Sequence, residues 1–159
     1  MFENIIKNVH NRHPLIHCIT NYVSINDCAN IVLACGGAPI MAEDINEVSQ
    51  ITSICQGLDI NIGMLNDNKL SSMLKAGATA NELGIPVILD PVGAGSSDYR
   101  IKAVQNLMSN VQFGVIRGNV SEIKAIAAKQ GIHNIAAGVY ETMQKNKSAM
   151  GVEAGVGGT

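Results

Sequence analysis

The sequence predicts an α/β protein built on a mostly parallel sheet with helices on both faces. Short apolar runs, such as Val87-Ile-Leu89 and Val115-Ile116, alternate with longer segments of helical period. The runs end in a polar or charged residue followed by glycine, as in Asp90 before Gly93 and Arg117 before Gly118. Strands that alternate with helices call for right-handed βαβ crossovers, and so for parallel neighbours. At 159 residues, with 47% hydrophobic and 15% charged residues, the chain is expected to form a single globular domain, residues 1–159, with a real core.

Phe2, Ile5, Ile6 and Val9 share a helix face, and Pro14 closes that neighbourhood. Leu15–Ile19 reads as a strand. Asn21 or Ser24 is then positioned to cap a helix with Ile25, Cys28, Ala29, Val32 and Leu33 on one face, stopped by Gly36-Gly37. Ala38–Met41 is a second strand. Asp44 or Asn46 caps a helix that turns Val48, Ile51 and Ile54 inward. Leu58–Ile62 alternates with period two, as a strand does. Asn66 or Asp67 opens a helix that runs to Leu83 and ends at Gly84. Val87–Leu89 is a fully buried strand, Asp98 caps the following helix, Phe113–Ile116 is the next strand, and Asn119 caps another helix. Beyond Lys129, Ile135, Val139 and Met143 share a helix face, and the tail Gly151–Thr159 has no period.

Several classes of function are disfavoured. The formal net charge is −2, and no Lys/Arg run suggests a nucleic-acid surface. The N-terminus lacks a signal-peptide core, and no apolar run approaches a membrane span, so a soluble cytoplasmic protein is expected. Cys18, Cys28, Cys35 and Cys55 contain no C-x-x-C pair and read as free buried thiols. His10, His13 and His17 resemble a metal ladder, but Pro14 breaks the shared face, so core or solvated histidines are expected.

In open parallel sheets, ligands bind outside the carboxyl ends of the strands. Asp90 and Arg117 are offered to that rim. Arg117 reads either as a surface ion-pair member or as a fork for phosphate. Asp90-Pro91 reads either as turn initiation or as a metal-positioning acid. Asn119-Val-Ser-Glu122 has the spacing of a capping box, and Glu122 in that position could also hold Mg²⁺ through water. Gly93-Ala-Gly-Ser-Ser97 lacks the Gly-Lys-Ser/Thr of a P-loop. Asn21, Met41 and Gly63 each have a plain structural reading, as cap, core and turn residue.

The segments ILDPVGAGSSDYR and VIRGNVSEI resemble hydroxyethylthiazole kinase, a thiamin-salvage family of the ribokinase-like superfamily. HPLIHCITNYVSINDCAN, GGAPIMAED and DINIGML agree, in the right order, so that the likeness runs from about Pro14 to about Ala127. It implies a three-layer ribokinase-like fold and transfer of the γ-phosphoryl group of ATP to the hydroxyl of 4-methyl-5-(2-hydroxyethyl)thiazole. By the same likeness, Asp90 and Glu122 serve Mg²⁺, Arg117 and Asn119 bind ATP, and Asn21, Val23, Met41 and Gly63 shape the thiazole pocket. A homotrimer with substrate sites between subunits is also implied. The rival readings are a related kinase for another small alcohol, such as a pyrimidine, and a binding-only fragment. The family's Gly-x-Gly-Cys turn, which supplies the general base and anion hole, has no match here. The chain is therefore expected to be an N-terminal portion, incomplete at its C-terminus, that does not turn over, and no catalytic base is assigned.

Overall fold

The computed structural model of the chain describes residues 2–129. Its elements, in order, are α1 (Phe2–Arg12), β1 (Leu15–Ile19), α2 (Ile25–Ala34), β2 (Ala38–Ile40), α3 (Val48–Ser53), β3 (Gly57–Asn61), α4 (Asp67–Glu82), β4 (Val87–Asp90), α5 (Asp98–Asn110), β5 (Val115–Ile116) and α6 (Val120–Lys129). The expected helix face of Ile135, Val139 and Met143 and the tail from Gly151 lie outside the described residues. No described helix is long and apolar enough to cross a membrane.

All four strand pairings are parallel, and the strand order is β2-β1-β3-β4-β5. The chain first steps from β1 outward to β2, then returns past β1 to β3. Right-handed crossovers therefore place α2 and α3 on opposite faces, and the direction of winding reverses between β1 and β3. This is the position at which open α/β sheets form a crevice for ligands.

One face of the sheet carries the core. Ile19, Leu58, Ile60, Ile62, Val87 and Leu89 pack there against Met73, Ala76 and Ala80 of α4 and Ile101, Val104 and Leu107 of α5. Period-two alternation delivers these strand residues to one side, and the small alanines let α4 lie close. Gly77 of α4 belongs to the same logic, since a Cβ there would come within 2.5 Å of a Val111 methyl.

The opposite face corrects one expectation. Cys18, Asp59, Ile88 and Val115 lie in register across β1, β3, β4 and β5. Ile88 is 42% and Val115 52% exposed, so β4 is buried on one side only. An unbroken apolar run cannot tell a strand covered on both faces from one covered on a single face.

Other differences are local. Ile54 is 58% exposed rather than inward, because α3 ends at Ser53 and the chain turns before β3. In α2 no residue is fully buried, and Leu33 is exposed. Asp98 does not cap α5; Ser97, in extended conformation, accepts from the Arg100 N–H. Neither Asp44 nor Asn46 caps α3, since Asp44 Oδ1 takes the Asn46 N–H in a local turn and Glu47 occupies the cap position. Of the two candidates Asn66 and Asp67, Asn66 caps α4, accepting from Lys69 N–H at 2.9 Å. β2 ends at Ile40, one residue short of Met41, and β5 begins at Val115. Gly36 stops α2 with a φ of 90°, a left-handed conformation suited to glycine.

The histidine reading agrees with the structure, and the cysteine reading in part, since Cys18 and Cys55 are buried but Cys28 and Cys35 only half-buried. His17 is buried and held by Thr52 Oγ1 at 2.9 Å and the Ala42 carbonyl at 2.8 Å. Burial is the main cause of its lowered pKa, so the neutral ring donates from Nε2 to the carbonyl. All four cysteines are free, and burial pushes the Cys18 thiol up to about 12.

Candidate functional site

The sheet rim gathers the predicted residues into two groups. The first lies at the ends of β4 and β5. Asp90 is the last residue of β4, and Arg117 directly follows β5. Arg117 Nη1 donates to Asp90 Oδ2 at 3.0 Å. Together with Val92, Gly118, Asn119 and Glu122 they line a cleft of about 330 Å³.

Asn119 and Glu122 form the reciprocal capping box of α6. Glu122 N–H donates to Asn119 Oδ1 at 2.9 Å, and Asn119 N–H donates to Glu122 Oε2 at 2.8 Å. The other carboxylate oxygen, Glu122 Oε1, accepts from Gly93 N–H at 3.0 Å. Glu122 therefore fastens the loop after β4 to the start of α6. Each oxygen retains acceptor capacity toward the cleft.

Burial raises the pKa of Asp90. Arg117 works against this, Glu122 adds to it, and a hydrogen bond from Asn61 opposes it. Asp90 and Glu122 thus repel across a small cleft, and a cation would relieve them. Hard oxygen donors of this kind suit Mg²⁺, which needs only one or two carboxylates and otherwise keeps water or phosphate oxygens. No cluster of three or more acids, histidines or cysteines fit to hold a metal occurs among the described residues.

The second group lies at the ends of β1, β2 and β3. Asn21 Oδ1 accepts from Ser24 N–H at 3.0 Å and Ser24 Oγ at 3.1 Å, which closes the turn before α2. Its Nδ2 donates to Asn61 Oδ1 at 3.3 Å. Gly63 N–H donates to that same oxygen at 2.8 Å. A Cβ on Gly63 would meet Asn61 Oδ1 at 2.9 Å and Asn21 Nδ2 at 3.0 Å, so the two asparagines demand glycine there. Met41 follows β2 beside the end of β1, half-buried. Val23, at 90% exposure, faces away from the sheet.

Three positions escaped sequence reasoning. Asn61 receives Asn21 and Gly63 on its oxygen and is the register partner of Asp90 in β4, so it lies between the two groups. Its signal was a polar residue at the carboxyl end of an alternating strand. Arg100 donates from Nη1 to the Ile62 and Val92 carbonyls at 2.7 and 2.9 Å, and from Nη2 to the Gly63 carbonyl at 2.7 Å. It ties the exits of β3 and β4 together. Lys69, near the start of α4, is almost wholly buried and paired with Glu43 at 2.7 Å. Nothing local distinguishes either cation from a solvated helix residue.

A sequence profile of the hydroxyethylthiazole kinase family matches residues 6–154. The chain belongs to that family. It is 61% identical, over 132 residues, to a hydroxyethylthiazole kinase of Clostridium acetobutylicum, an alignment covering 83% of this chain and 48% of that protein. It is 53% identical to the Desulfovibrio desulfuricans hydroxyethylthiazole kinase, covering 81% of this chain and 45% of that one. The solved hydroxyethylthiazole kinase structure from Pyrococcus horikoshii superposes with a TM-score of 0.78 at 40% identity, covering 80% of this chain and 50% of the other. The chain spans about half the length of the relatives it matches. The family match agrees with the parallel α/β architecture read from the sequence.

Proposed function

We propose that this chain carries the thiazole side and part of the ATP side of a kinase that phosphorylates the hydroxyl of 4-methyl-5-(2-hydroxyethyl)thiazole. The observation that carries the reading is the convergence of Asp90, Arg117 and Glu122 on one cleft at the strand ends, in a chain of this family. Phosphoryl transfer asks for positioning and charge neutralisation more than covalent chemistry. In this reading Arg117 turns its exposed guanidinium from Asp90 toward the phosphates, and Asn119 and the α6 N-terminus face them. Asp90 and Glu122 hold Mg²⁺, which supplies neutralisation of phosphate charge when bound. Asn21, Met41 and Gly63 shape the thiazole pocket. Val23, facing outward, suits a site shared between subunits, and we include a homotrimer and a cytoplasmic location in the reading. No general base is assigned.

Calorimetry on the purified, folded chain tests this. Mg²⁺·ATP and the thiazole alcohol are expected to bind, the alcohol in preference to a pyrimidine alcohol. Binding of neither ligand to a folded sample overturns the reading.

A further inference from the structure

We propose that Lys69 is a positioning residue of the substrate-side rim, its buried ammonium locking the turn after β1 to the loop after β2. The role in substrate binding rests on the thiazole-pocket reading above. The structural lock does not.

Lysine is almost never fully buried unless it is paired. Lys69 is 4% exposed, and its ammonium donates to the Thr20 carbonyl at 2.5 Å and to Glu43 Oε2 at 2.7 Å. It also sits 4.5 Å above the centre of the Tyr22 ring. The Tyr22 hydroxyl in turn donates to Glu43 Oε1. The three side chains form a closed triad, and each belongs to a different segment. Tyr22 lies in the turn after β1, between Asn21 and Val23. Glu43 lies in the loop after β2, two residues from Met41. Lys69 lies in the first turn of α4.

Neither helix stability nor general stability accounts for this arrangement. A cation in the first turn of a helix opposes the helix dipole. The ion pair also returns little net stability, since burying Lys69 costs desolvation while the Glu43 side chain stays 40% exposed to screening water. What such a pair can specify is relative position. Burial of Glu43 opposes ionisation, but Lys69 and Tyr22 outweigh it and hold the carboxyl below its usual range, so Glu43 is ionised at neutral pH. Both loops are pinned a second time nearby. The Ala42 carbonyl is held by His17, and Asn21 Oδ1 by Ser24. Met41 and Asn21 are therefore each bracketed by a strand end and a fastened neighbour. With its donors engaged by Thr20 and Glu43 and its charge over Tyr22, Lys69 acts through the loops it fastens rather than as an anion site.

The test uses Lys69→Met, Glu43→Gln and the double variant in the whole chain. Amide hydrogen exchange by NMR needs no ligand. Exchange over residues 20–24 and 41–44 is expected to rise together in Lys69→Met, with Gly93 and Asn119 unchanged. No change at either loop overturns the lock. By calorimetry, the thiazole alcohol is expected to bind about tenfold more weakly, with Mg²⁺·ATP affinity retained. The double variant, free of an unpaired charge, is expected to regain Tm but not thiazole affinity. Recovery of both together, or equal loss of both ligands, overturns the positioning role. If Lys69→Met does not fold, Glu43→Gln is read by the same criteria. Should the unaltered chain bind no thiazole alcohol, the pocket reading fails, and the exchange data still decide the lock.

Discussion

The Asn21 side chain, in the turn after β1, donates to Asn61 Oδ1 at the end of β3, 40 residues away. This contact spans the point where the sheet changes winding direction. Asn61 is itself the register partner of Asp90 across β3 and β4, so one amide lies between the substrate-side turn and the phosphate-side acid. Replacing Asn61 with alanine leaves the Gly63 N–H and the Asn21 amide without their acceptor. The expected loss is about 1–2 kcal/mol in urea unfolding. Gly63→Ala is expected to destabilise as well, since its Cβ would sit 2.9 Å from Asn61 Oδ1. Wild-type stability in both variants would show that the amide cluster carries no load.

Glu122 binds two backbone N–H groups with two separate oxygens. Glutamine has one oxygen, and its NH₂ cannot accept, so Glu122→Gln must lose one of these bonds. A capping-box argument from sequence alone treats glutamine as harmless; the Gly93 contact says otherwise. A cost of about 1 kcal/mol is expected in chemical denaturation, with weakened Mg²⁺-dependent nucleotide affinity in calorimetry. Unchanged affinity at the measured stability cost leaves Glu122 a fastener and removes its metal role.

Arg117 is 79% exposed on its side chain and pairs with Asp90 at 3.0 Å. Exposed pairs contribute about 0–1 kcal/mol, so Arg117→Lys should scarcely move Tm. A planar fork is lost, however, and lysine does not replace it at phosphate. ATP affinity should fall while melting stays put; a collapse of Tm with affinity intact would make the ion pair structural.

Asp59 is a pH prediction. Burial raises its carboxyl, nearby Asp90 adds to this, and Arg117 only partly offsets them, leaving it at about 6. The folded state thus holds this proton more tightly than the unfolded chain, whose aspartate titrates near its ordinary value of about 3.9. Its contribution to stability is complete below about pH 4 and is lost as pH rises through about 6. Asp59→Asn should therefore gain stability relative to wild type at pH 7, on the order of 2 kcal/mol, and the gain should vanish by about pH 4. A difference in unfolding free energy that does not vary with pH would refute the assignment.

Arg100 holds three carbonyls at the exits of β3 and β4. Arg100→Met keeps much of the apolar stem and strands those acceptors. A loss of about 2 kcal/mol is expected in thermal or urea unfolding, with faster amide exchange around Gly63 and Gly93. If only the global Tm falls and local exchange does not, Arg100 stabilises by packing rather than by fastening the rim.

The chain by itself determined the alternation of strands and helices, the Asn119–Glu122 box and the placing of Asp90 and Arg117 at strand ends. These are local properties: apolar period, cap chemistry within three residues, and a charge just past an apolar run. Where candidates stood side by side, as Asn66 and Asp67 do, only backbone conformation chose between them, and at α5 the cap fell on Ser97 rather than the expected Asp98. The tertiary structure decided what no local pattern encodes. The order β2-β1-β3 brought Asn21 onto Asn61, and a separation of 49 residues was closed by Lys69 on the Thr20 carbonyl. The same sequence period that buried Leu89 left Ile88 facing out, because which faces of a sheet are covered depends on where the crossover helices lie. A lysine in a helical stretch reads as solvated until the loops that surround it are assembled, and its burial is a property of that assembly.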